Sequence, residues 1–148
     1  MEKILNDTFF MREALKEARK AFDADEVPVG AVIVLDDTII ARGHNLTEQL
    51  QDVTAHAEIQ AITAAAQYLG AKYLSGCTLY VSLEPCLMCA GALAWAQLDR
   101  IVIGAKDPKK GYSTFSRKAI PGNIKVSEGI LAEESSELLK DFFRKKRD

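Results

Sequence analysis

Residues 78 to 105 constrain the fold of this chain more than any other stretch. Thr78 to Leu83 reads as a strand, and Pro85 sits where the first turn of a helix tolerates a missing N–H. Cys86 to Gln97 continues as a mostly apolar helix, and Arg100 to Ala105 is a strand again. A strand, a buried helix and a strand in that order predict a right-handed βαβ unit with parallel strands, and so an α/β core.

The flanking sequence supplies the other elements. Asn6 or Asp7 can cap a first helix, whose apolar positions Phe10, Met11, Ala14, Leu15, Ala18, Ala21 and Phe22 follow the three-to-four spacing of a stripe packed on a core. Val29 to Leu35 and Thr38 to Ala41 are β-branched runs joined at Asp36-Asp37, which predicts a hairpin with a tight turn. After a loop through Gly43 and Asn45, the alanine-rich segment Ala55 to Tyr68 predicts a helix stopped by Gly70. A loop carrying Pro108, Gly111, Pro121 and Gly122 then leads to a short strand over Ile124 to Val126 and a C-terminal helix over Glu133 to Lys146. The expected architecture is a single domain over 1–148 of the α/β class. It is a three-layer α/β/α sandwich with a central five-stranded mixed sheet and helices on both faces.

Composition narrows the function. The 148 residues, 48% hydrophobic and 27% charged, suffice for one core and leave no room for a second domain. With 19 basic and 21 acidic side chains the net charge is −2, which excludes a generally basic protein that coats nucleic acid. The balance is uneven, however. Residues 1–105 hold 8 basic and 14 acidic side chains, and residues 106–148 hold 11 and 7. The last third could face phosphates, or Arg144-Lys145-Lys146-Arg147 could be a solvated helix end whose cations complement the helix dipole. The only long apolar run, Leu87 to Ala96, is too short to span a bilayer, and the N-terminal Met-Glu-Lys-Ile-Leu-Asn-Asp lacks the pattern of a secretory signal. The expectation is a cytoplasmic protein with no membrane partner.

Two clusters carry the chemistry. His56-Ala57-Glu58 lies near the start of one predicted helix, and after 26 residues Pro85-Cys86-Leu87-Met88-Cys89 starts the next. Cys-x-x-Cys in a reducing compartment points to metal or redox chemistry, while the third cysteine, Cys77, reads as a small core residue. Thiols at a helix N-terminus see the positive end of the dipole, which favours the thiolate a metal needs, and Cys86 and Cys89 at i and i+3 share one face. Zinc takes N and S ligands tetrahedrally. His56 with two thiolates leaves a fourth position for water, as in catalytic zinc sites. Glu58, two residues from one ligand, could take a proton from that water and return it to a leaving group. Alternatives remain at this point: His44 as a fourth ligand would close the site into a structural Cys2His2 zinc, and a zinc-stabilised RNA-binding module would leave Glu58 unused.

The H-x-E and P-C-x-x-C pair resembles the signature of the zinc-dependent cytidine/deoxycytidylate deaminase superfamily. More closely, the chain is similar to the bacterial tRNA-specific adenosine deaminases, a family that converts a wobble adenosine to inosine. The matching stretches are Glu26 to Val32, Gly43-His44-Asn45, Ala55 to Ile59, Leu83 to Ala92, Gly104 to Asp107, Glu128 to Ala132 and Asp141 to Arg144. The resemblance implies a cytidine-deaminase-like fold, a Zn2+ cofactor held by His56, Cys86 and Cys89, and Glu58 as the proton shuttle. It further implies a tRNA anticodon loop as substrate and a homodimer. Asn45 would hydrogen-bond the purine or its ribose, the Ala57 N–H would meet the base edge, Val27 would line the pocket wall, and Asp107 would sit on the rim near a 2′-OH.

One segment departs from that family. Its members show Lys-x-Gly-Ala-x-Gly-Ser after the fourth strand, where this chain has Lys109-Lys110-Gly111-Tyr112-Ser113-Thr114-Phe115-Ser116. Tyr112 and Phe115, set among Lys109, Lys110, Arg117 and Lys118, are expected to stack on exposed bases or to pack under the loop. The same departure keeps open a deaminase of a free base or nucleoside such as guanine or cytosine. The helix over Cys86 to Gln97, apolar nearly all round with Leu93 and Trp95, is expected to put one face on the sheet and another on a second subunit.

Overall fold

Asn6 opens the first helix of the computed structural model, which describes residues 4–147. Its side-chain oxygen accepts the Phe9 N–H at 2.9 Å, and α1 runs over Asp7–Asp23 with Phe10, Met11, Ala14, Ala18 and Ala21 buried, the predicted stripe. The first three residues of the segment read above for a targeting signal lie outside the described residues. Strands β1 (Gly30–Leu35) and β2 (Thr38–His44) form the predicted hairpin. Asp36 and Asp37 both take positive φ, 49° and 61°, the conformation that a two-residue turn between twisted strands requires.

Next come a short helix α2 (Thr47–Leu50), unforeseen in the sequence, then α3 (Ala57–Leu69), β3 (Thr78–Leu83), α4 (Leu87–Ala96) and β4 (Arg100–Ala105). A one-turn helix α5 (Tyr112–Phe115), a 3-10 turn at Arg117–Ala119, β5 (Lys125–Glu128) and α6 (Ala132–Arg147) complete the chain. The sheet order is β2-β1-β3-β4-β5. β1 pairs antiparallel with β2 and β3, whereas β3, β4 and β5 are parallel, so the sheet is mixed as expected.

Helices α1 and α6 pack on one face of the sheet, and α3 and α4 on the other. The larger core lies beneath α3 and α4, where Ile33, Leu79, Val81, Ile101 and Ile103 meet Ala57, Ala61, Ala65, Ala90 and Leu93. Cys77 belongs to it, as the sequence suggested. Alanines on α3 and the missing side chain of Gly43 let the helix approach β2 closely: a Cβ at Gly43 would strike the backbone of Ala57 and Ala61. That approach fixes the start of α3, and with it His56. Among the described residues no helix is long and apolar enough to cross a membrane.

A polar cluster around Asp7 ties the start of α1 to the sheet. Arg100 donates to both oxygens of Asp7, at 2.8 and 2.7 Å, Tyr80 donates to Asp7 at 2.8 Å, and Arg100 also reaches Ser127 at 3.0 Å. The Arg100 guanidinium holds the Asp7 carboxyl below its ordinary 3.8 against the opposing effect of burial. A lowered carboxyl pKa contributes stability that is full above the ordinary value and lost as pH falls through the folded one. Asp7→Asn is therefore expected to cost about 1–2 kcal/mol at neutral pH, a charge-assisted pair discounted for its exposed third. Urea denaturation at pH 7 and at about pH 2.5 checks this: the gap between variant and wild type should shrink in acid.

Candidate active site

His56 and Cys86 turn out to be caps, not helical residues. His56 (φ −74°, ψ 158°) precedes α3 and Cys86 (φ −71°, ψ 173°) precedes α4, so both helices begin one or two residues later than the sequence pattern predicts, and Pro85 stands before the cap. The pattern misleads because the apolar spacing runs on through caps that face a common interior. Both helix N-termini then point their free N–H groups at one place, at the C-terminal edge of β3.

There the two clusters meet. His56 Nδ1 lies 3.6 Å from Cys86 Sγ and 3.4 Å from Cys89 Sγ, and the three atoms all fall within 4.8 Å of one another. Tetrahedral zinc with ordinary Zn–N and Zn–S lengths places N and S about 3.5 Å apart, so the donor set fits that ion by spacing as well as by type. Among the described residues no fourth His, Cys, Asp or Glu joins the group. His44, the candidate for closing the site, faces Glu17 instead, its Nδ1 3.4 Å from the Glu17 carboxylate, which also holds Lys20 and Arg42.

Glu58 is the second residue of α3, 3% exposed, and burial pushes its carboxyl up to about 7. A hydrogen bond from Cys89 lowers the Cys86 thiol to about 4, and the same bond together with burial keeps the proton on Cys89. The Cys86 thiolate in turn raises His56.

His56, Glu58 and Cys86 form the floor of a cleft of about 1100 Å³, with Cys89 buried against them. Each sequence-predicted contact residue lines it: Val27 on one wall, Asn45 after β2, Ala57 at the start of α3 and Asp107 after β4. Asn45 also organises its own loop, donating to the Val27 carbonyl at 3.4 Å and accepting the Thr47 N–H at 3.2 Å. Asp107 likewise accepts the N–H groups of Lys109 and Lys110, at 3.1 and 3.0 Å. Both side chains therefore shape turns at the cleft as well as facing it.

Of the two alternatives for the aromatic pair, Tyr112 takes the packed one. Tyr112 is only 7% exposed and packs in the core beneath α4, its N–H donating to the Pro85 carbonyl at 2.9 Å. It has no face to offer a base. Phe115 is 62% exposed, but neither ring lines the cleft, whose share of this segment ends at Lys110. Conversely, the sequence reading missed Leu139 and Lys140 of α6, which form the far wall with Phe143 and Arg144. It also passed over two buried carboxylates. Glu26 accepts the Glu48 and Gln49 N–H groups at 3.0 and 2.8 Å, and Glu84 accepts from the loop after β4. The signal for Glu84 was an acid set directly before a proline at the end of an apolar strand; Glu26, behind Asp23 and Asp25 and two residues before Pro28, carried no comparable one. Seven basic side chains ring the mouth: Lys106, Lys109 and Lys110 on one side, Lys140, Arg144, Lys146 and Arg147 on the other.

Residues 5–147 match the family model of the MafB19-like deaminases, so the chain is a deaminase. The chain is 49% identical to the tRNA-specific adenosine deaminase of Agrobacterium fabrum, over 95% of both chains. A structure solved in a study of A-to-I editing by tRNA:A34 deaminases superposes with a TM-score of 0.83 at 48% identity, covering 89% of this chain and 99% of that one. With relatives this similar over nearly its whole length, the chain belongs to the tRNA-specific adenosine deaminases. A guanine deaminase from Nitrosomonas europaea is also similar in structure, with a TM-score of 0.82 at 26% identity, covering 91% of this chain and 83% of that one.

Proposed function

We propose that this single deaminase domain converts adenosine to inosine at the wobble position of a tRNA anticodon loop, in the cytoplasm, as a zinc-dependent hydrolase. The observation that carries the proposal is the joining of two features in one cleft: Glu58, His56 and Cys86 on the floor with the third donor, Cys89, buried against them, and a ring of cations at the mouth. A free base brings no phosphate to such a rim, whereas an RNA loop brings several. The target atom of a stacked base is out of reach, so the adenosine must be splayed into the cleft.

His56, Cys86 and Cys89 would hold the zinc, which when bound supplies a Lewis acid that eases deprotonation of water. The net reaction adds water at C6 of the adenine and releases ammonia. Glu58 accepts the proton of the attacking water on its carboxylate and delivers it to the N6 amine as the C6–N6 bond breaks. Burial keeps that carboxylate away from bulk water. The Ala57 N–H, first in α3 and without an acceptor inside its helix, meets the base edge. Asn45 has one N–H and one lone pair left beyond its turn for the purine or ribose. Val27 forms the wall, and Asp107 Oδ2, the oxygen its turn leaves over, faces the ribose 2′-OH.

A deaminase of free guanine would share the floor of this cleft, and the similar fold of the Nitrosomonas enzyme gives that reading its support. Kinetics on two substrates separate the readings. An RNA hairpin with adenosine in its loop should be deaminated, with a KM that climbs steeply with salt, and free guanine should not. Ammonia from guanine with the hairpin untouched would overturn the proposal.

The active unit is proposed to be a homodimer. On α4, Leu93 faces the sheet, whereas Leu87, Met88 and Trp95 are 47%, 40% and 81% exposed along the opposite side, with open space at Gly91 between them. Trp95→Glu is expected to weaken self-association at least about a hundredfold, as loss of a buried aromatic anchor does. Sedimentation at micromolar concentration checks this: a wild type that is already monomeric would sink the dimer.

A further inference from the structure

Glu84 is 4% exposed, sits between β3 and the Cys86 cap, and has no part in the chemistry above. Every group facing its carboxylate in the hydrogen-bond network is a donor. The Asp107 N–H reaches Oε1 at 3.1 Å, and the Ser113 N–H and hydroxyl reach Oε2 at 3.0 and 2.6 Å. Around this carboxylate the loop is stitched further: the Glu84 N–H donates to Ala105 at 2.8 Å, the Tyr112 N–H donates to Pro85, and Gly111 pairs with Cys86 across an isolated bridge. Gly111 supplies a second, independent sign. Its backbone (φ −61°, ψ 145°) suits any residue, yet a Cβ there would fall within contact distance of the Glu84 carboxyl carbon and both oxygens. The three atoms nearest to that Cβ all belong to the Glu84 carboxylate.

We propose that Glu84 is a positioning residue, whose buried carboxylate clamps the Asp107–Ser113 loop so that Asp107, Lys109 and Lys110 are held on the cleft rim in register for a nucleic-acid backbone. The proposal rests on the RNA reading of the cleft. The physical need for a clamp comes from charge. Lys109 and Lys110 share the mouth with Lys140, Arg144 and Arg147; Lys140 and Arg144 pair with Glu137 and Asp141 on their own helix, and the positive charge left over works against holding the loop at the rim. Three charge-assisted hydrogen bonds to one buried acceptor oppose that force. A glutamine cannot replace it, because its NH2 would confront N–H donors.

Two variants reach the same contact from opposite sides. Glu84→Gln removes the acceptor, and Gly111→Ala displaces it without touching its charge. Each is expected to raise KM for the hairpin RNA about tenfold while kcat falls less than about threefold and zinc content holds. Each should also speed trypsin cleavage after Lys109 or Lys110 about tenfold in the RNA-free protein, since a released loop opens locally. The double variant should be no worse than the more affected single, because both break one contact. Wild-type KM and wild-type trypsin resistance in both variants would overturn the proposal, as would a collapse of kcat with loss of zinc at unchanged KM. If the wild type fails to deaminate RNA at all, the function proposed above falls, and the trypsin comparison still decides whether Glu84 clamps the loop.

Discussion

Replacing Cys86 by serine is expected to strip the protein of zinc and of activity while leaving its fold in place. The proposed metal site has three protein donors and no fourth in reach among the described residues, so the loss of one leaves two, too few to retain zinc against water. A serine hydroxyl keeps its proton at neutral pH and offers a hard oxygen where the site presents soft sulfur. The sheet core is built from Ile33, Leu79, Ile101 and Ile103, away from the donors, so the helical circular dichroism should be unchanged. Metal analysis of the purified variant should find less than about a tenth of an ion per chain, against about one in the wild type. Full zinc in the variant would show that the donor set is misassigned.

Glu58→Gln is expected to separate binding from chemistry. The substitution keeps the shape of the side chain and removes its charge, and Glu58 is not one of the clustered donors, so zinc content should match the wild type. Turnover should fall about 10⁴-fold, the upper end for general acid–base catalysis, because one carboxylate serves both proton transfers. Stability should be equal or slightly raised, since a 3% exposed carboxylate is replaced by a neutral amide. Single-turnover kinetics together with metal analysis check both halves. A variant that keeps more than about a tenth of wild-type turnover would remove Glu58 from the mechanism.

Most of the architecture was legible because it rests on local periodicity. The α1 stripe, the Asp36-Asp37 turn, the stop at Gly70 and the strand–helix–strand run from Thr78 to Ala105 each carry their signal within a few neighbouring residues. The donors were legible for the same reason, as two short motifs at the starts of two helices. What escaped depends on contacts distant in sequence. Tyr112 could have stacked outward or packed inward, and the choice is made by Glu84 and Pro85, more than twenty residues earlier. His44 carries a ligand's side chain, but Glu17 on the opposite face of the sheet claims it. The far wall of the cleft, from Leu139 to Arg144, is set by where α6 docks against β3 and β4.

The central claim is adenosine deamination in RNA by Glu58, and nucleoside mass spectrometry tests it most directly. Zinc-loaded wild type and Glu58→Gln would each be incubated with a tRNA bearing an unmodified wobble adenosine, and the digested RNA assayed for inosine at that position. Inosine at the wobble position with the wild type and none with the variant is the predicted result. No inosine from a fully zinc-loaded wild type, or equal inosine from both proteins, would contradict it.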